Sequence, residues 1–439
     1  MLNSSGTRTA LLDVCLDNPD DCLPSDAETN RRGYVSPSPS PGVSEDRRII
    51  GVTTVSHATV HTYELSIPIL MLEWLAEFEV TLATLGIIVG AGYALFGLGA
   101  LPAGVLADKI GSRPLIVGCL IGMSGGFLAM SALPGLLGVT VGLLLWGAAA
   151  SVYHPAGLSL ISRGVEKRGR ALGYHGAAGN VGIGFGPFLT AVLLIFVDWR
   201  FAAALLAIPA LGAAAVTLRL GFEEPAVADG GGRRGGKGDT GGFLRESRAL
   251  FASTFAVAFV VAVSSGLYYR GVLTFLPDIL SDTVAFAPGA ALDFEASRYV
   301  YSALLAVGVA GQYTGGRLAE SSTERRMALG YGTLGVIALA FVFVLGTPVA
   351  LVAVSLTLGF FLFVVQPLYQ NTIARHTPEE ARGVSYGYTY LGVFGIGALG
   401  AALAGAVLEF STPSVLFAVL ALIATAGAGA AAYLAFLDR

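Results

Sequence analysis

The stretch Gly104–Pro114, GVLADKIGSRP, recurs in degraded form 212 residues later as GRLAESSTERR at Gly316–Arg326. Further residue pairs share this offset of 212: Gly104 with Gly316, Asp108 with Glu320, Pro155 with Pro367, Arg163 with Arg375, Arg170 with Arg382, and Tyr174 with Tyr386. One constant offset at several separate positions indicates an internal duplication. The sequence therefore predicts two copies of one structural unit.

The composition indicates the medium in which these units fold. Of the 439 residues, 54% are hydrophobic and 13% are charged, whereas about 25% of a soluble domain is charged. A soluble fold of this size cannot bury so much apolar surface. Crossing a bilayer takes about 20 apolar residues per helix, and the chain contains twelve such runs. We expect an all-α membrane protein with twelve transmembrane helices, and neither an enzyme nor a nucleic-acid-binding protein.

The apolar runs and the polar segments between them divide the chain into four parts. Residues 1–48 are polar and rich in Ser, Pro and Asp, which is typical of a disordered tail. Residues 49–221 and 249–439 each hold six apolar runs. The Gly-rich, charged segment 222–248 reads as a flexible linker between them. Because each bundle contains an even number of helices, both enter the membrane in the same direction, as pseudo-symmetric halves.

The distribution of Lys and Arg predicts the orientation. With the N-terminus in the cytoplasm, 23 of the 26 basic residues lie on the cytoplasmic side, and Arg200, Arg270 and Arg298 are the exceptions. Cytoplasmic loops carry this excess of positive charge in membrane proteins. We therefore expect a multi-pass protein of the plasma membrane with a cytoplasmic tail, a cytoplasmic linker and both termini in the cytoplasm.

The segment GVLADKIGSRP resembles the loop motif of the major facilitator superfamily, G-x-x-x-D-[RK]-x-G-[RK]-[RK], with Ser112 at one basic position. The resemblance covers about residues 48–437. It implies two six-helix bundles that rock around a central site, and a cytoplasmic gate held by charges that bridge the two halves. The expected gate residues are Gly104, Asp108, Lys109, Gly111, Arg113 and Glu320. Alternatively, these charges only cap a loop and set the topology.

A glycine pattern in the fifth apolar run is similar to the antiporter motif of that superfamily. Gly173, Gly182, Gly186 and Pro187 follow the spacing G-x8-G-x3-G-P. The two glycines that end the family motif are absent here. The resemblance favours an exporter, although glycines in membrane helices also serve helix packing alone.

The first apolar run contains SHATVHTYELSIPIL, which is similar to the pattern H-x-x-x-D-x-Y-x-x-x-x-P of fosmidomycin-resistance-type exporters. His57, Tyr63 and Pro68 match the pattern, while His61 stands in the place of its acid. This resemblance implies that protons drive the export of a small organic molecule.

The spacing of His57, His61 and Glu64 puts these residues on one face of the first helix. Ionisable groups at membrane depth are costly and are functional by default, and histidine titrates near neutral pH. We expect Glu64, His61 and His57 to carry the driving proton. The alternative is that Glu64 is a structural carboxylate held in a salt bridge.

Further polar residues are candidates for the substrate cavity. Arg270 either binds an anionic substrate, pairs with Glu64 or extends to the outer surface. His154 and Gln366 occupy repeat-equivalent positions beside Pro155 and Pro367, and His154 either contacts substrate or satisfies backbone carbonyls. His175 is expected near the membrane interface. The predicted cavity residues are Arg270, His154, Gln366, Tyr63 and Tyr269.

Together these patterns predict a monomeric secondary transporter whose partners are a small organic molecule, protons and the lipid bilayer. Proton-coupled efflux is the favoured function. The alternatives are proton-coupled uptake of an organic anion and a transport-inactive sensor or scaffold. The sequence lacks a phosphate-binding G-x-x-x-x-G-K-[ST] loop and zinc-ligand spacing, and its histidines are scattered. We therefore expect no cofactor and no metal.

Overall fold

The computed structural model describes residues 41–222, 224, 240–284, 295–320, 322–377 and 382–437. Most of the predicted tail and most of the predicted linker lie outside these residues. The described elements are α1 (Pro41–Phe78), α2 (Leu82–Leu98), α3 (Ala100–Ile110), α4 (Ser112–Ala132), α5 (Gly135–Ala150), α6 (Tyr153–Gly164), α7 (Arg168–Phe196), α8 (Trp199–Arg219), α9 (Thr240–Phe251), α10 (Phe255–Leu273), α11 (Leu276–Ser281), α12 (Ala296–Leu318), α13 (Thr323–Val344), α14 (Pro348–Arg375), α15 (Arg382–Tyr390), a π-helical segment (Leu391–Ile396), α16 (Leu399–Phe410) and α17 (Pro413–Leu437).

All regular structure within the described residues is helical, and residues Glu45–Arg439 form one compact unit. Two helices begin earlier than the apolar runs indicate. Helix α1 begins at Pro41, inside the predicted tail, and α9 begins at Thr240, inside the predicted linker. In α9, Ser247 and Leu250 are buried while Leu244 and Arg245 are exposed. One face of α9 therefore packs on the protein.

Ten helical spans within the described residues are long and apolar enough to cross a membrane. They include the continuous pairs α2–α3, α5–α6 and α10–α11, and the run from α15 to α16. Two of the twelve predicted spans, α1 and α12, are not among them. Both are long enough, but α1 carries His57, His61 and Glu64, and α12 carries Arg298 and Gln312. The prediction of exactly twelve spans is therefore not confirmed by length and composition.

The helices repeat in the way the internal duplication predicts. Helix α13 begins 211 residues and ends 212 residues after α4. Helix α4 packs on α5 and α8, and α13 packs on α14 and α17 in the same pattern. Among the contacts that link the copies are those of α2 with α16 and of α7 with α12, which are equivalent under the repeat. A cavity lined by both copies lies between them.

Candidate functional site

A cavity of about 1690 Å³ lies between the two copies of the repeat. Helices α1, α3, α6 and α7 line it from the first copy, and α9, α10, α12, α14, α15 and the π-helical segment line it from the second. It extends from Glu64 to the exposed charged residues Lys109, Arg245 and Glu246. The mouth of the cavity is therefore at the end of the molecule that carries GVLADKIGSRP.

Most of the residues predicted for the transport site line this cavity. These are His57, His61, Glu64, His154, Gln366 and Tyr269. Tyr63 and Arg270 are not among the lining residues. The Tyr63 ring packs on Phe127 at a centroid distance of 4.2 Å, and its hydroxyl lies 3.3 Å from Ser124 Oγ. Tyr63 therefore belongs to the core of the first copy.

A chain of polar contacts crosses the deep end of the cavity, far from its mouth. His57 Nδ1 lies 2.7 Å from the backbone oxygen of His175, and His61 Nδ1 lies 2.5 Å from Glu64 Oε2. The Nε2 atoms of His57 and His61 are 3.1 Å apart. The other carboxylate oxygen of Glu64 accepts a hydrogen bond from Arg270. The predicted stripe on α1 is thus one continuous hydrogen-bonded network.

The partners of these groups determine where the protons lie. A backbone oxygen only accepts, so His57 Nδ1 donates to it. Glu64 is ionised against Arg270, so His61 Nδ1 donates to the carboxylate. If both rings were neutral, their Nε2 lone pairs would face each other at 3.1 Å. One additional proton between the two Nε2 atoms would remove this repulsion and would give the pair one positive charge.

Arg270 is the partner of Glu64, one of the three arrangements that the sequence left open. Both side chains are almost fully buried. The guanidinium also lies over the ring of Tyr93, 3.7 Å from its centroid, and the Tyr93 hydroxyl donates to the backbone oxygen of Glu64 at 3.1 Å. Because α10 supplies Arg270 and α1 supplies Glu64, this buried pair joins the two copies. Arg270 therefore neither extends to the outer surface nor has a guanidinium free to bind an anionic substrate in this structure.

His175 lies in the site and not at the interface where the sequence interpretation put it. Its ring stacks on His57 with a centroid distance of 3.8 Å and an angle of 5°. Gly179, one turn along α7, makes room for this contact, since a Cβ there would lie 2.5 Å from His57 Cε1. The sequence signal for placing His175 in the site was the glycine that follows it by four residues on the same helical face.

His154 completes a cluster that the sequence did not reveal. Its ring lies 5.2 Å from His57 and 5.6 Å from His61, measured between centroids. Its Nε2 atom is buried without a hydrogen-bond partner. The expectation of scattered histidines is therefore wrong, since one ligand atom from each of His57, His61 and His154 falls within 4.8 Å of the other two.

This trio has the composition of a transition-metal site. It is the one such grouping within the described residues. The Nε2 atoms of His57 and His61 also lie at hydrogen-bond distance from each other, which a single shared proton would explain. The geometry of this contact therefore fits either a pair of metal ligands or a shared proton.

The glycine pattern of α7 brings that helix against the histidine stripe. A Cβ on Gly182 would lie 2.1 Å from the backbone oxygen of Ala58, and one on Gly186 would lie 2.5 Å from that of Thr62. Pro187 follows inside the same helix. Gly173 has open space around it. Two of the three motif glycines are thus required for the approach of α7 to α1.

One residue of the predicted gate, Arg113, makes local contacts within the first copy. Arg113 donates to the backbone oxygens of Thr217, at 3.0 Å, and Leu218, at 2.9 Å, at the end of α8. The cavity is open at this end of the molecule, so a bridge from Arg113 to the other half, expected when this end is closed, stays a prediction. Lys109 and Glu320 are exposed, Gly104 has open space around it, and the Asp108 side chain lies outside the described residues.

Glu224 holds the loop of the motif GVLADKIGSRP, a contact that sequence reasoning missed. Its carboxylate accepts from the backbone N–H groups of Ser112 and Arg113 and lies 3.4 Å from Arg163. The position of this carboxylate also explains why residue 111 is a glycine. Its φ is +90°, and a Cβ added there would lie 2.8 Å from the Glu224 carboxylate. In the second copy, Glu324 pairs with Arg375 at 2.9 Å. The recurrence of Arg163 and Arg375 at the repeat offset was the available signal.

Two contacts between the copies lie at the end opposite the mouth. Arg298 of α12 contacts Glu73 of α1 and also Glu295, at 2.6 Å. The backbone N–H of Leu82 donates to Glu409 of α16 at 3.0 Å. These contacts hold α1 to α12 and α2 to α16 where the cavity is closed.

The family of the chain follows from comparison with known proteins. The family model of the Major Facilitator Superfamily matches residues 58–401. The chain belongs to the major facilitator superfamily. This protein is therefore a multi-pass membrane transporter for a small molecule, and it is not an enzyme. No curated protein matches its sequence.

Solved structures of other transporters share the superfamily fold. The nucleoside transporter NupG superposes with a TM-score of 0.71 at 14% identity, over 88% of this chain and 99% of its own. A structure of the proton-dependent oligopeptide transporters gives 0.69 at 13% identity, over 90% and 99%. A bacterial homologue of the human lysosomal transporter Spinster, inward-facing and occupied, gives 0.64 at 15% identity, over 90% and 96%. At these identities the likeness extends to the fold alone.

Proposed function

We propose that this transporter exports a small organic molecule in exchange for protons. The observation that carries the proposal is the contact between the Nε2 atoms of His57 and His61, which are 3.1 Å apart at the deep end of the cavity. A proton held there can leave when a substrate donor takes over the lone pairs, which couples the two by competition. The glycine pattern of α7, packed on this same stripe, favours exchange over co-transport.

In this mechanism the surrounding charges hold the histidines in position. Glu64 fixes the orientation of His61, and Arg270 balances the charge of Glu64. The cluster with Arg270 is neutral without the shared proton and carries one positive charge with it. The other ionisable groups that face the pair are His154, His175 and Tyr153. None of these adds a fixed charge, so the shared proton is the charge that changes during transport.

Alternating access follows from the two ends of the cavity. We infer twelve transmembrane helices, with α1 and α12 completing the ten apolar spans, in two halves of six at residues 49–221 and 249–439. The mouth between Lys109 and Arg245 then faces the cytoplasm, and the contacts of Arg298 and Glu409 close the outer end. Rocking of the halves would open that end and close the mouth. A monomer in the plasma membrane, with cytoplasmic termini, is sufficient for this cycle.

Two alternatives have less support. Uptake of an organic anion would use Arg270, but Arg270 pairs with Glu64 and does not line the cavity. A transport-inactive sensor would not need a cavity that extends from the exposed end of the molecule to a buried titratable cluster. A drug exporter of the fosmidomycin-resistance type remains our proposal for the subgroup.

Transport in proteoliposomes tests the direction and the coupling. With a panel of labelled small organic compounds in the medium, antiport predicts accumulation when the lumen is more acidic than the medium, and symport predicts accumulation when the medium is more acidic. We expect the former, and we expect Glu64→Gln and His61→Gln to abolish the response to the gradient. Accumulation in the opposite gradient, or a normal response in both variants, would contradict the proposal.

A further inference from the structure

We propose that the substrate is an uncharged, planar heteroaromatic compound that stacks on the rings of His154, Tyr390 and Phe394. This inference rests on the proposed function only in taking the cavity as the substrate site. It is carried by three independent features of the cavity wall, which are the ring stack, two buried polar atoms without partners, and the distribution of charge.

The ring stack of His154, Tyr390 and Phe394 is a triangle of nearly parallel rings, with their planes within 14° to 21° of each other. The centroid distances between them are 5.5, 5.9 and 5.8 Å. All three residues line the cavity. Since His154 lies on α6 and the other two lie on the second copy, a flat ring that packs against the cavity side of this triangle contacts both copies at once. Offset stacking of this kind favours a planar aromatic ligand.

Two buried polar atoms in the cavity wall have no hydrogen-bond partner. They are Nε2 of His154, a residue only 7% exposed, and Oε1 of Gln312. Both residues line the cavity, and so does the amide of Gln366. A buried polar group without a partner costs about 1–3 kcal/mol. A ligand edge with both donors and acceptors, as on a ring that contains nitrogen, would satisfy these atoms.

The charges around the stack favour a ligand without net charge. Arg270, the permanent cation at this depth, is buried against Glu64 and Tyr93. It is therefore not free to bind an anion. A cationic ligand would find no free counter-charge at this depth, because the Glu64 carboxylate already pairs with Arg270 and His61. The other charged lining residues, Lys109, Arg245 and Glu246, are at the mouth. An uncharged ligand meets neither obstacle.

Binding to the purified full-length protein in detergent tests this inference without any pH gradient. The probes are adenosine, which is uncharged and carries a planar heteroaromatic ring system, adenosine monophosphate, which adds the negative charge, and ribose, which lacks the ring system. Isothermal titration should detect adenosine at concentrations at which the other two bind at least tenfold more weakly. The inference would be overturned if adenosine monophosphate or ribose bound as tightly as adenosine or more tightly. It would also be overturned if adenosine did not bind at millimolar concentration.

Variants then locate the contact. Tyr390→Leu should weaken adenosine binding by about tenfold, since stacking on one aromatic side chain carries a factor of this order. Gln366→Met should weaken it by severalfold. Tyr433→Leu, which changes an exposed ring outside the cavity, should bind adenosine normally and serves as the control. Normal binding by Tyr390→Leu would overturn the assignment of the stack. Adenosine binding without gradient-driven transport would instead contradict the proposed function and leave this inference standing.

Discussion

The two walls of the cavity are built from equivalent helices, yet they carry different chemistry. The first copy contributes His57, His61, Glu64, His154 and His175. The second contributes Tyr269, Gln312, Gln366, Tyr369 and Tyr390. At two of the equivalent pairs, His57 and His154 line the cavity from the first copy, and Tyr269 and Gln366 line it from the second. One wall can change its charge and the other cannot. The comparison suggests that duplication allowed one half to specialise in the proton and the other in the substrate.

Loss of the charge that joins the walls should have the largest effect. Glu64→Gln leaves Arg270 buried without its counter-charge, and breaking a buried pair on one side costs about 3–5 kcal/mol. We expect a large fall in the thermal unfolding temperature in detergent and loss of gradient-driven transport.

A double variant separates stability from coupling in this experiment. Glu64→Gln with Arg270→Gln removes both charges, so most of the stability should return, because no unpaired charge remains buried. Transport should stay uncoupled from the pH gradient, since His61 has lost its carboxylate partner. A double variant that is as unstable as the single one would show that the pair is not the source of the loss.

The approach of α7 to the titratable wall should give the next largest effect. Gly182→Ala puts a methyl group 2.1 Å from the Ala58 backbone oxygen, and such overpacking costs about 1–3 kcal/mol. Because α7 would move away from α1, the stacking of His175 on His57 should weaken as well. Thermal unfolding and gradient-driven transport should both decline.

Gly173→Ala is the matched control, since it changes the same motif on the same helix where the surrounding space is open. It should unfold and transport like the parent protein. If both substitutions behaved alike, the glycine pattern would act through some property other than close packing.

The third effect distinguishes the walls by their response to pH. His61→Gln removes one of the two nitrogens that share the proton, so accumulation should no longer rise as the lumen is acidified at fixed external pH. A process that follows one proton changes by up to about tenfold per pH unit. Gln366→Met should lower substrate affinity while it keeps the pH response of the parent protein. The measurement is the initial rate of transport at several lumenal pH values. If His61→Gln kept the pH profile of the parent protein, the two walls would not divide proton and substrate between them.

The sequence predicted the superfamily fold and the face of α1 because both depend on local regularities. Apolar runs identify membrane helices, and the spacing of His57, His61 and Glu64 identifies one helical face. The superfamily and the transporter class are confirmed by the family model. The number of spans is less secure, because polar residues in α1 and α12 lower the apolar character on which such counting depends.

The contacts of the site were less predictable, because they depend on how separate helices turn toward each other. Glu64 and Arg270 are 206 residues apart, and depth along two helices did not decide whether they touch. His154 and His175 reach the cluster only because α6 and α7 present those faces to α1. The contacts of Arg113 were unpredictable for the same reason, since its position at the start of α4 does not reveal that it donates to the end of α8.

The smallest effect should come from the contacts that close the outer end. Arg298 bridges Glu73 and Glu295 where the acidic partners are partly exposed, and such pairs contribute about 0.2–1 kcal/mol. Arg298→Gln should therefore raise the outward-open population by a factor of about 1.4 to 5, as follows from that free energy. Spin labels on the outer ends of α1 and α12 would report the shift as a second, longer distance. Arg200→Gln is the control, because Arg200 pairs with Glu77 at the same end but within one copy, and it should leave the distances unchanged. If Arg298→Gln gave no shift, the Leu82–Glu409 contact and helix packing would be what closes this end. The choice between the inward-open and outward-open states would then not depend on the outer ion pairs.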